Sequence, residues 1–305
     1  RLDIDPAEVW ENARRTNPYL YALAFAAFYL AFILRALRWR AMLDRAGVSE
    51  DTGYSIPTIP SLIEIYIVSW FANCVVPAKL RDAYRSFMFK RDSGASFSTT
   101  LGTILSERLI DLVALFVAMV GSAVVVFGTH LPGQANNAVI GGAILLAIGA
   151  IGLATMWFAR DHLERHLPAK IREQYARLHG AIFSSLRRPE GYFGVSLLIW
   201  LTEGLRLFLV CLALDADVPF TTAVFVALLA SLLTALPFTP AGLGVVEGGM
   251  TIVLGAVGIG SSLALSITLL DRVIGYWSVI AVGFILYLHR MRKEIIAEQV
   301  ARPAV

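Results

Sequence analysis

Ionisable side chains recur inside two long apolar stretches of this 305-residue sequence, residues 99–127 and 263–288. The charged residues in these stretches are Glu107, Arg108, Asp111, Asp271 and Arg272. Glu203 and Arg206 lie in a third apolar stretch. A charge at the centre of a bilayer costs roughly 2.5 kcal/mol or more, so such residues face partners or a wet cavity. The pattern predicts a protein that handles something polar inside a membrane.

The spacing of these charges predicts particular ion pairs. Arg108 and Asp111 are three positions apart, as are Glu203 and Arg206, and both pairs can form on one helix face. Glu107 and Asp111 are four apart and repel unless a second cation lies between them. We expect Arg206 or Arg272 to supply it. A structural network that only fixes helix register is the alternative interpretation.

The composition predicts an all-α, polytopic membrane protein. Hydrophobic residues make up 57% of the chain and charged residues only 16%, outside the usual balance of soluble domains. A span needs about 20 mostly apolar residues, and seven stretches are candidates: 19–37, 61–76, 99–127, 138–158, 192–214, 221–236 and 263–288. The glycine-rich stretch 240–260 could either cross or re-enter.

Several functional classes lack support in the sequence. The two cysteines lie in apolar stretches, the five histidines show no ligand spacing, and no Walker A, GxSxG or HExxH motif is present. The net charge of +3 suits basic cytoplasmic loops at least as well as nucleic acid. We therefore expect neither an enzyme nor a nucleic-acid-binding protein, and no metal or other cofactor.

Two landmarks repeat along the chain and predict two three-span units. Pro77 precedes the Glu107–Arg108 pair by 30 residues, and Pro240 precedes the Asp271–Arg272 pair by 31. Accidental similarity between apolar helices is the alternative. The predicted organisation is an interfacial helix, a first repeat, a linking span with an amphipathic cytoplasmic linker, a second repeat and a polar tail, at residues 1–18, 19–127, 138–191, 192–290 and 291–305.

Broken-helix signals in both units predict anion sites. Pro240, Gly242 and Gly244 interrupt a helix, and a new helix starting near Gly244 would present free N–H groups. Glu247 would lie in its first turn and could pair with a basic residue of the other repeat. A ligand-free hinge is the alternative. Lys79 and Arg81 at the matching position suit a phosphate-bearing headgroup, although a solvated basic loop is as good an interpretation.

Loop charges predict the orientation. Residues 160–190 hold seven Lys or Arg and residues 77–98 hold five, which places both loops in the cytoplasm. By alternation, the N-terminus is predicted to be cytoplasmic as well. Residues 160–188 read as an amphipathic helix, interrupted near Pro168, that lies on an anionic leaflet or acts as a hinge. Arg38, near the end of the first span, is a snorkelling anchor or a headgroup ligand.

Three segments resemble one family: Leu-Arg-Ala-Leu-Arg-Trp-Arg at 34–40, Glu-Arg-Leu-Ile-Asp-Leu at 107–112, and Pro-Ala-Gly-Leu-Gly-Val-Val-Glu at 240–247. The chain is similar, over roughly residues 19–290, to the lysylphosphatidylglycerol synthase transmembrane-region family, the flippase-like domain of the multiple peptide resistance factors. The resemblance implies a domain that moves lipids between leaflets, aminoacylated phosphatidylglycerol in the best-known members. The sequence shows no soluble aminoacyl-transferase domain, so aminoacylation is not expected.

The leading hypothesis is a flippase-like or scramblase-like transporter of a phosphate-bearing lipid in the cell membrane. The headgroup would pass through a charged cavity between the two repeats. Expected partners are a membrane phospholipid or another phosphate-bearing lipid, a lipid-synthesising enzyme and a second copy of the chain. The alternatives are an accessory subunit of a lipid or glycan-lipid pathway and an intramembrane lipid-modifying enzyme.

Overall fold

The computed structural model describes residues 4–75, 80–128, 133–235 and 242–301, and every extended regular element among them is helical. The predicted all-α class is therefore confirmed. The helices are α1 (Pro6–Arg15), α2 (Pro18–Arg45), α3 (Ile59–Val75), α4 (Arg81–Ser93), α5 (Phe97–Phe127), α6 (Gly133–Phe158), α7 (Arg160–His166), α8 (Ala169–Ser185), α9 (Glu190–Ala213), α10 (Phe220–Ala235), α11 (Val245–Ala256), α12 (Ser261–Arg272) and α13 (Ser278–Ala301).

Five helical stretches of the described chain are long and apolar enough to cross a membrane: α2, α5, α6, α9 and the continuous run from α12 into α13. A π-helical turn, Val273–Trp277, joins the last two helices. Helices α3, α10 and α11 have 17, 16 and 12 residues. At 1.5 Å per residue each falls short of the roughly 30 Å hydrocarbon core. Two of the seven predicted spans therefore do not cross as single helices.

Helices α2 and α9 pack side by side in opposite directions. The backbone N–H of Asn17, before α2, donates to the carbonyl of Ala213 at the end of α9 over 2.8 Å. At the other end, Arg45 donates to the carbonyl of Arg188, just before α9, over 3.2 Å. We call the face that holds Asn17 and Ala213 the N-terminal side, and the face that holds Arg45 and Arg188 the linker side.

Helices α3 and α4 form a hairpin that enters from the linker side. Arg290 contacts both Glu64, near the start of α3, and Asp92, near the end of α4. Deeper in the protein, Tyr66 of α3 and Arg85 of α4 both bond the Glu107 side chain of α5. Helix α4 thus returns to the face from which α3 started.

Helices α10 and α11 form a second hairpin, which enters from the N-terminal side. Phe220 at the start of α10 packs on Phe208 near the end of α9, with ring centroids 5.5 Å apart. The four residues after α11 lead to Ser262, whose hydroxyl accepts from the N–H of Asp5 over 3.1 Å. The glycine-rich stretch that could cross or re-enter therefore re-enters.

The two units are inverted relative to each other. One consists of α2, the α3–α4 hairpin and α5, and the other of α9, the α10–α11 hairpin and α12–α13. Their first helices run antiparallel and their hairpins enter from opposite faces, as in inverted-topology transporters. Each hairpin packs on the last helix of the other unit, shown by Phe71 against Phe284 at 6.1 Å and Phe127 against Phe225 at 5.5 Å.

This geometry corrects the predicted relation between the N-terminus and the basic linker. The N-terminal helix α1 begins after an Asp5 cap, as predicted, but it lies at the opposite end of α9 from the linker. The two cannot share the cytoplasm as the alternation predicted. The error came from counting α3 as a full crossing.

The amphipathic linker divides at Pro168, the residue before α8, as predicted. Its second half packs on α5, because Ser106 donates to the carbonyl of Ile182 over 3.1 Å and the Ile182 side chain is buried. Ile171, near the start of the same helix, stays exposed. The protein itself, rather than a leaflet surface, covers the apolar face at the end of α8 around Ile182.

Candidate functional site

The three charged residues of α5, Glu107, Arg108 and Asp111, do not all lie on one face of the helix. Successive residues of an α-helix are rotated by about 100°, so Glu107 and Arg108 point in different directions. Glu107 is only 2% exposed, whereas the Arg108 side chain is 34% exposed. The two residues consequently join different ion-pair clusters.

Glu107 is neutralised from within its own unit. Arg38 of α2 donates to it over 2.9 Å, Arg85 of α4 over 2.8 Å and the Tyr66 hydroxyl over 2.9 Å. Arg38 also donates to both oxygens of Asp111. The prediction that Arg206 or Arg272 would separate the two acids of α5 was wrong, and Arg38 performs that task.

Arg108 pairs with Asp82 of α4 and not with Asp111. Its guanidinium donates to the two carboxylate oxygens of Asp82 over 2.8 and 3.2 Å. The predicted pairing along α5 is therefore wrong. The actual contact fastens the first turn of α4 to the middle of α5.

A second cluster joins α9 to α12. Arg206 donates to the two oxygens of Asp271 over 2.8 and 3.0 Å and also bonds Glu203, as its spacing predicted. Arg35 of α2 donates to Glu203 over 2.8 Å. Because α2 belongs to the first unit, this contact bridges the two units near the middle of the protein.

In the described part of the broken-helix motif a new helix starts near Gly244, as predicted, but its own carboxylate serves as a cap. Helix α11 begins at Val245, directly after Gly244, and Gly242 and Gly244 have φ angles of +74° and +82° that favour glycine. The N–H of Gly244 donates to Glu247 over 2.6 Å. Since Glu247 already occupies this helix terminus, the predicted anion site there is filled from within the chain.

Glu247 also receives a bond of 2.8 Å from Arg272. Because Arg272 lies in the same unit, the predicted pairing across the repeat was wrong. The contact joins the first turn of α11 to the end of α12. It repeats the Arg108–Asp82 arrangement of the first unit.

A cavity of about 380 Å³ lies between the two units and reaches both hairpins. Among the described residues, the charged lining comprises five arginines and five carboxylates, which are Arg35, Arg81, Arg108, Arg206, Arg272, Asp82, Glu107, Asp111, Glu203 and Asp271. Asp82 and Arg108 are about one third exposed, whereas the cluster around Arg206 is almost fully buried. The cavity therefore has an accessible part and a closed, charged floor.

Most of the predicted site residues surround this cavity. Eight of them line it: Arg81, Glu107, Arg108, Asp111, Glu203, Arg206, Asp271 and Arg272. Arg38 is buried in the ion-pair network that supports Glu107 and Asp111. Gly242, Gly244 and Glu247 lie at the start of α11 and are not part of the lining. Lys79 and Pro240 lie outside the described residues.

Sequence reasoning missed three important residues of the lining: Tyr66, Trp70 and Asp82. Asp82 could have been found, because it occupies the first turn of a helix after a proline, as Glu247 does. Tyr66 and Trp70 carry no such signal, since aromatic residues are ordinary in apolar helices. Across the described part of the chain, no group of three or more His, Cys, Asp or Glu is placed to hold a metal ion.

Fold and site together define an α-helical, polytopic membrane protein with two inverted units and a charged internal cavity. The chain belongs to the family described as the lysylphosphatidylglycerol synthase TM region, which matches residues 2–283. A UPF0104 membrane protein of Methanocaldococcus jannaschii is 30% identical over 71% of this chain and 93% of its own length. A UPF0104 membrane protein of Methanothermobacter thermautotrophicus is 23% identical over 92% of this chain and 88% of its own length.

A longer relative is named glycosyltransferase AglD, from Haloferax volcanii. It is 25% identical over 90% of this chain, and the match covers 49% of AglD.

Proposed function

We propose that this protein moves a phosphate-bearing lipid between the two leaflets of a membrane. The headgroup passes through the cavity between the units, while the acyl chains stay in the surrounding lipid. One observation carries the proposal: hairpins from opposite faces meet a cavity lined by five arginines. Guanidinium groups bind phosphate oxygens through charge-assisted hydrogen bonds.

The cavity supplies what a bare bilayer lacks for this task. A charged headgroup loses its hydration in hydrocarbon, which makes unassisted crossing slow. The arginines of the lining replace water as donors, and their paired carboxylates offset most of the positive charge of the empty site. The sequence shows no nucleotide-binding motif, so we propose that a lipid or ion gradient, rather than nucleotide hydrolysis, drives the movement.

The orientation follows from the corrected topology. The linker side carries the basic residues of the 160–190 segment, and we place it in the cytoplasm of the cell membrane. The N-terminus then faces the outside. The loop after α9, which lies on the same face, carries Asp215 and Asp217 and no basic residue, consistent with this assignment.

An accessory role is the second candidate, favoured by the match to AglD. There the matching region is about half of a longer protein named a glycosyltransferase. By analogy, this chain would work beside an enzyme that makes a lipid-linked product. Transport by the purified protein would separate the two candidates, since an accessory subunit alone moves nothing.

The test is leaflet exchange in liposomes that contain the purified protein and headgroup-labelled phosphatidylglycerol. Wild type should accelerate exchange over protein-free liposomes. Arg108→Gln should slow it about tenfold, because one charge-assisted bond is worth about 1.5–3 kcal/mol. Arg40→Gln is the matched control, since the ion pair that Arg40 makes with Glu50, at 3.8 Å, is exposed. Absence of exchange by wild type across a panel of phosphate-bearing lipids would contradict the transport proposal.

A further inference from the structure

Two arginines of the cavity share one tryptophan. The guanidinium carbons of Arg35 and Arg81 lie 5.0 and 5.2 Å from the centroid of the Trp70 ring. All three side chains line the cavity. They come from α2, α4 and α3, so the site lies where the first hairpin meets the first helix. A guanidinium over an aromatic ring keeps its in-plane N–H groups available for an anion.

Arg35 has a buried donor without a partner. The residue is 5% exposed, and its Nη2 donates to Glu203 over 2.8 Å. Its Nη1 makes no hydrogen bond within the described chain. A buried donor left unpaired costs about 1–3 kcal/mol. A ligand that accepts this hydrogen bond would remove the cost.

Arg81 is the most weakly compensated arginine of the lining. Among the described residues, its ion pair is with the neighbouring Asp82, at 3.5 Å. Both oxygens of Asp82 are already bonded by Arg108 over 2.8 and 3.2 Å. The Arg81 side chain is 21% exposed, so it can adjust toward a ligand without breaking the Arg108 contact.

The charges around the cavity leave one positive charge without a counterpart. The described lining and the ion pairs directly behind it contain seven arginines and six carboxylates: Arg35, Arg38, Arg81, Arg85, Arg108, Arg206, Arg272, Asp82, Glu107, Asp111, Glu203, Glu247 and Asp271. One bound monoanion balances the set. A diphosphate would bring two or more negative charges to a site with one uncompensated cation.

We propose that Arg35, Trp70 and Arg81 form the phosphate subsite of the cavity, and that it selects a singly charged phosphodiester of a lipid headgroup. The inference rests on the proposed function for the source of the ligand. The subsite differs from the helix terminus at Gly244, where Glu247 is already bound. In this proposal Arg35 and Arg81 bind the ligand, and the buried cluster around Arg206 supports the site.

Binding is measured on the purified protein in detergent, without a transport step. The probes are dioctanoyl phosphatidylglycerol, dioctanoylglycerol, inorganic phosphate and a short-chain isoprenyl diphosphate. Tryptophan fluorescence reports occupancy, and Trp70→Phe shows how much of the signal comes from this ring. Arg35→Gln and Arg81→Gln are compared with Lys90→Gln, an exposed cation at the far end of α4. Thermal unfolding of each variant verifies the fold.

We expect phosphatidylglycerol to bind at least tenfold more tightly than each other probe. Arg35→Gln and Arg81→Gln should weaken its binding about tenfold, Arg35→Lys should restore part of the loss, and Lys90→Gln should have no effect. Equal binding of dioctanoylglycerol, of inorganic phosphate or of the diphosphate overturns the assignment, as does unchanged binding by a folded Arg81→Gln variant. Binding without leaflet exchange would contradict the proposed function and leave the subsite standing. Leaflet exchange that is unchanged in the Arg35→Gln and Arg81→Gln variants would contradict the subsite and leave the proposed function standing.

Discussion

Glu107 and Asp271 hold equivalent places in the two inverted units. Each lies in the third membrane element of its unit and accepts from an arginine of that unit's first helix, Arg38 over 2.9 Å and Arg206 over 2.8 Å. The residue after each acid, Arg108 or Arg272, bonds a carboxylate in the first turn of the returning hairpin helix. The same two connections thus hold each hairpin to its unit.

Replacing Arg38 with Leu should strongly destabilise the protein. The change leaves Asp111 without its cation and removes one of two from Glu107. Breaking a buried ion pair from one side costs about 3–5 kcal/mol. Denaturant unfolding in detergent measures the loss. Arg40→Leu on the same helix is the control, with an expected loss under about 1 kcal/mol because its ion pair is exposed. Equal losses would show that the buried network contributes little.

The Glu247–Arg272 contact should show clear coupling in a double-mutant cycle. Glu247→Gln, Arg272→Gln and the double variant isolate the pairwise free energy, which we expect to be about 1–3 kcal/mol for a buried pair in contact. The exposed pair Glu11–Arg15 serves as the reference, with about 0.3–0.5 kcal/mol. Similar values for both cycles would mean that the interior contact has no special weight.

Helices α9 and α10 meet at Gly204, where a side chain has no room. A Cβ there would lie 2.4 Å from Cγ2 of Val224 and 2.9 Å from its Cα. Gly204→Ala should therefore destabilise the protein by about 1–3 kcal/mol. Gly194→Ala on the same helix meets no atom within 4 Å and should gain up to about 1 kcal/mol. The pair is compared by thermal unfolding, and a neutral Gly204→Ala would contradict the close packing of the second hairpin.

The inverted topology predicts which residues share a face of the membrane. Single cysteines at Glu8, Arg187 and Arg292, all exposed positions, are introduced after Cys74→Ala and Cys211→Ala. A membrane-impermeant maleimide added to intact cells should label position 8 alone. Positions 187 and 292 should react only after permeabilisation. Labelling of positions 8 and 187 from the same side would refute the five-crossing arrangement.

The sequence was sufficient for the fold class and for the sites of helix breakage. The length of an apolar stretch predicts a membrane-spanning helix, and the glycines near Gly244 predict a break in a helix. Both effects depend on the local sequence and not on distant partners. The spacing of Glu203 and Arg206 likewise predicted a contact within one helix turn. These inferences succeeded because the interacting groups are neighbours in sequence.

Long-range partners and crossing number could not be read in the same way. Arg108 has acids both along α5 and across on α4, and only the packing of α4 selects Asp82. Similarly, α3 is apolar enough to cross but ends after 17 residues, and its return as α4 leaves the N-terminus on the opposite face from the basic linker. A single miscounted crossing changes the side of every loop before or after it.

Arg290 makes the two faces of the protein differ in how they respond to salt. On the linker side, the first hairpin is joined to α13 through the contacts of Arg290 with Glu64 and Asp92. On the N-terminal side, aromatic packing of Phe225 on Phe127 joins the second hairpin to α5. Dissolved ions screen the first attachment and leave the second nearly untouched. Raising the ionic strength should therefore weaken the attachment of the first hairpin on the linker side more than that of the second hairpin on the N-terminal side.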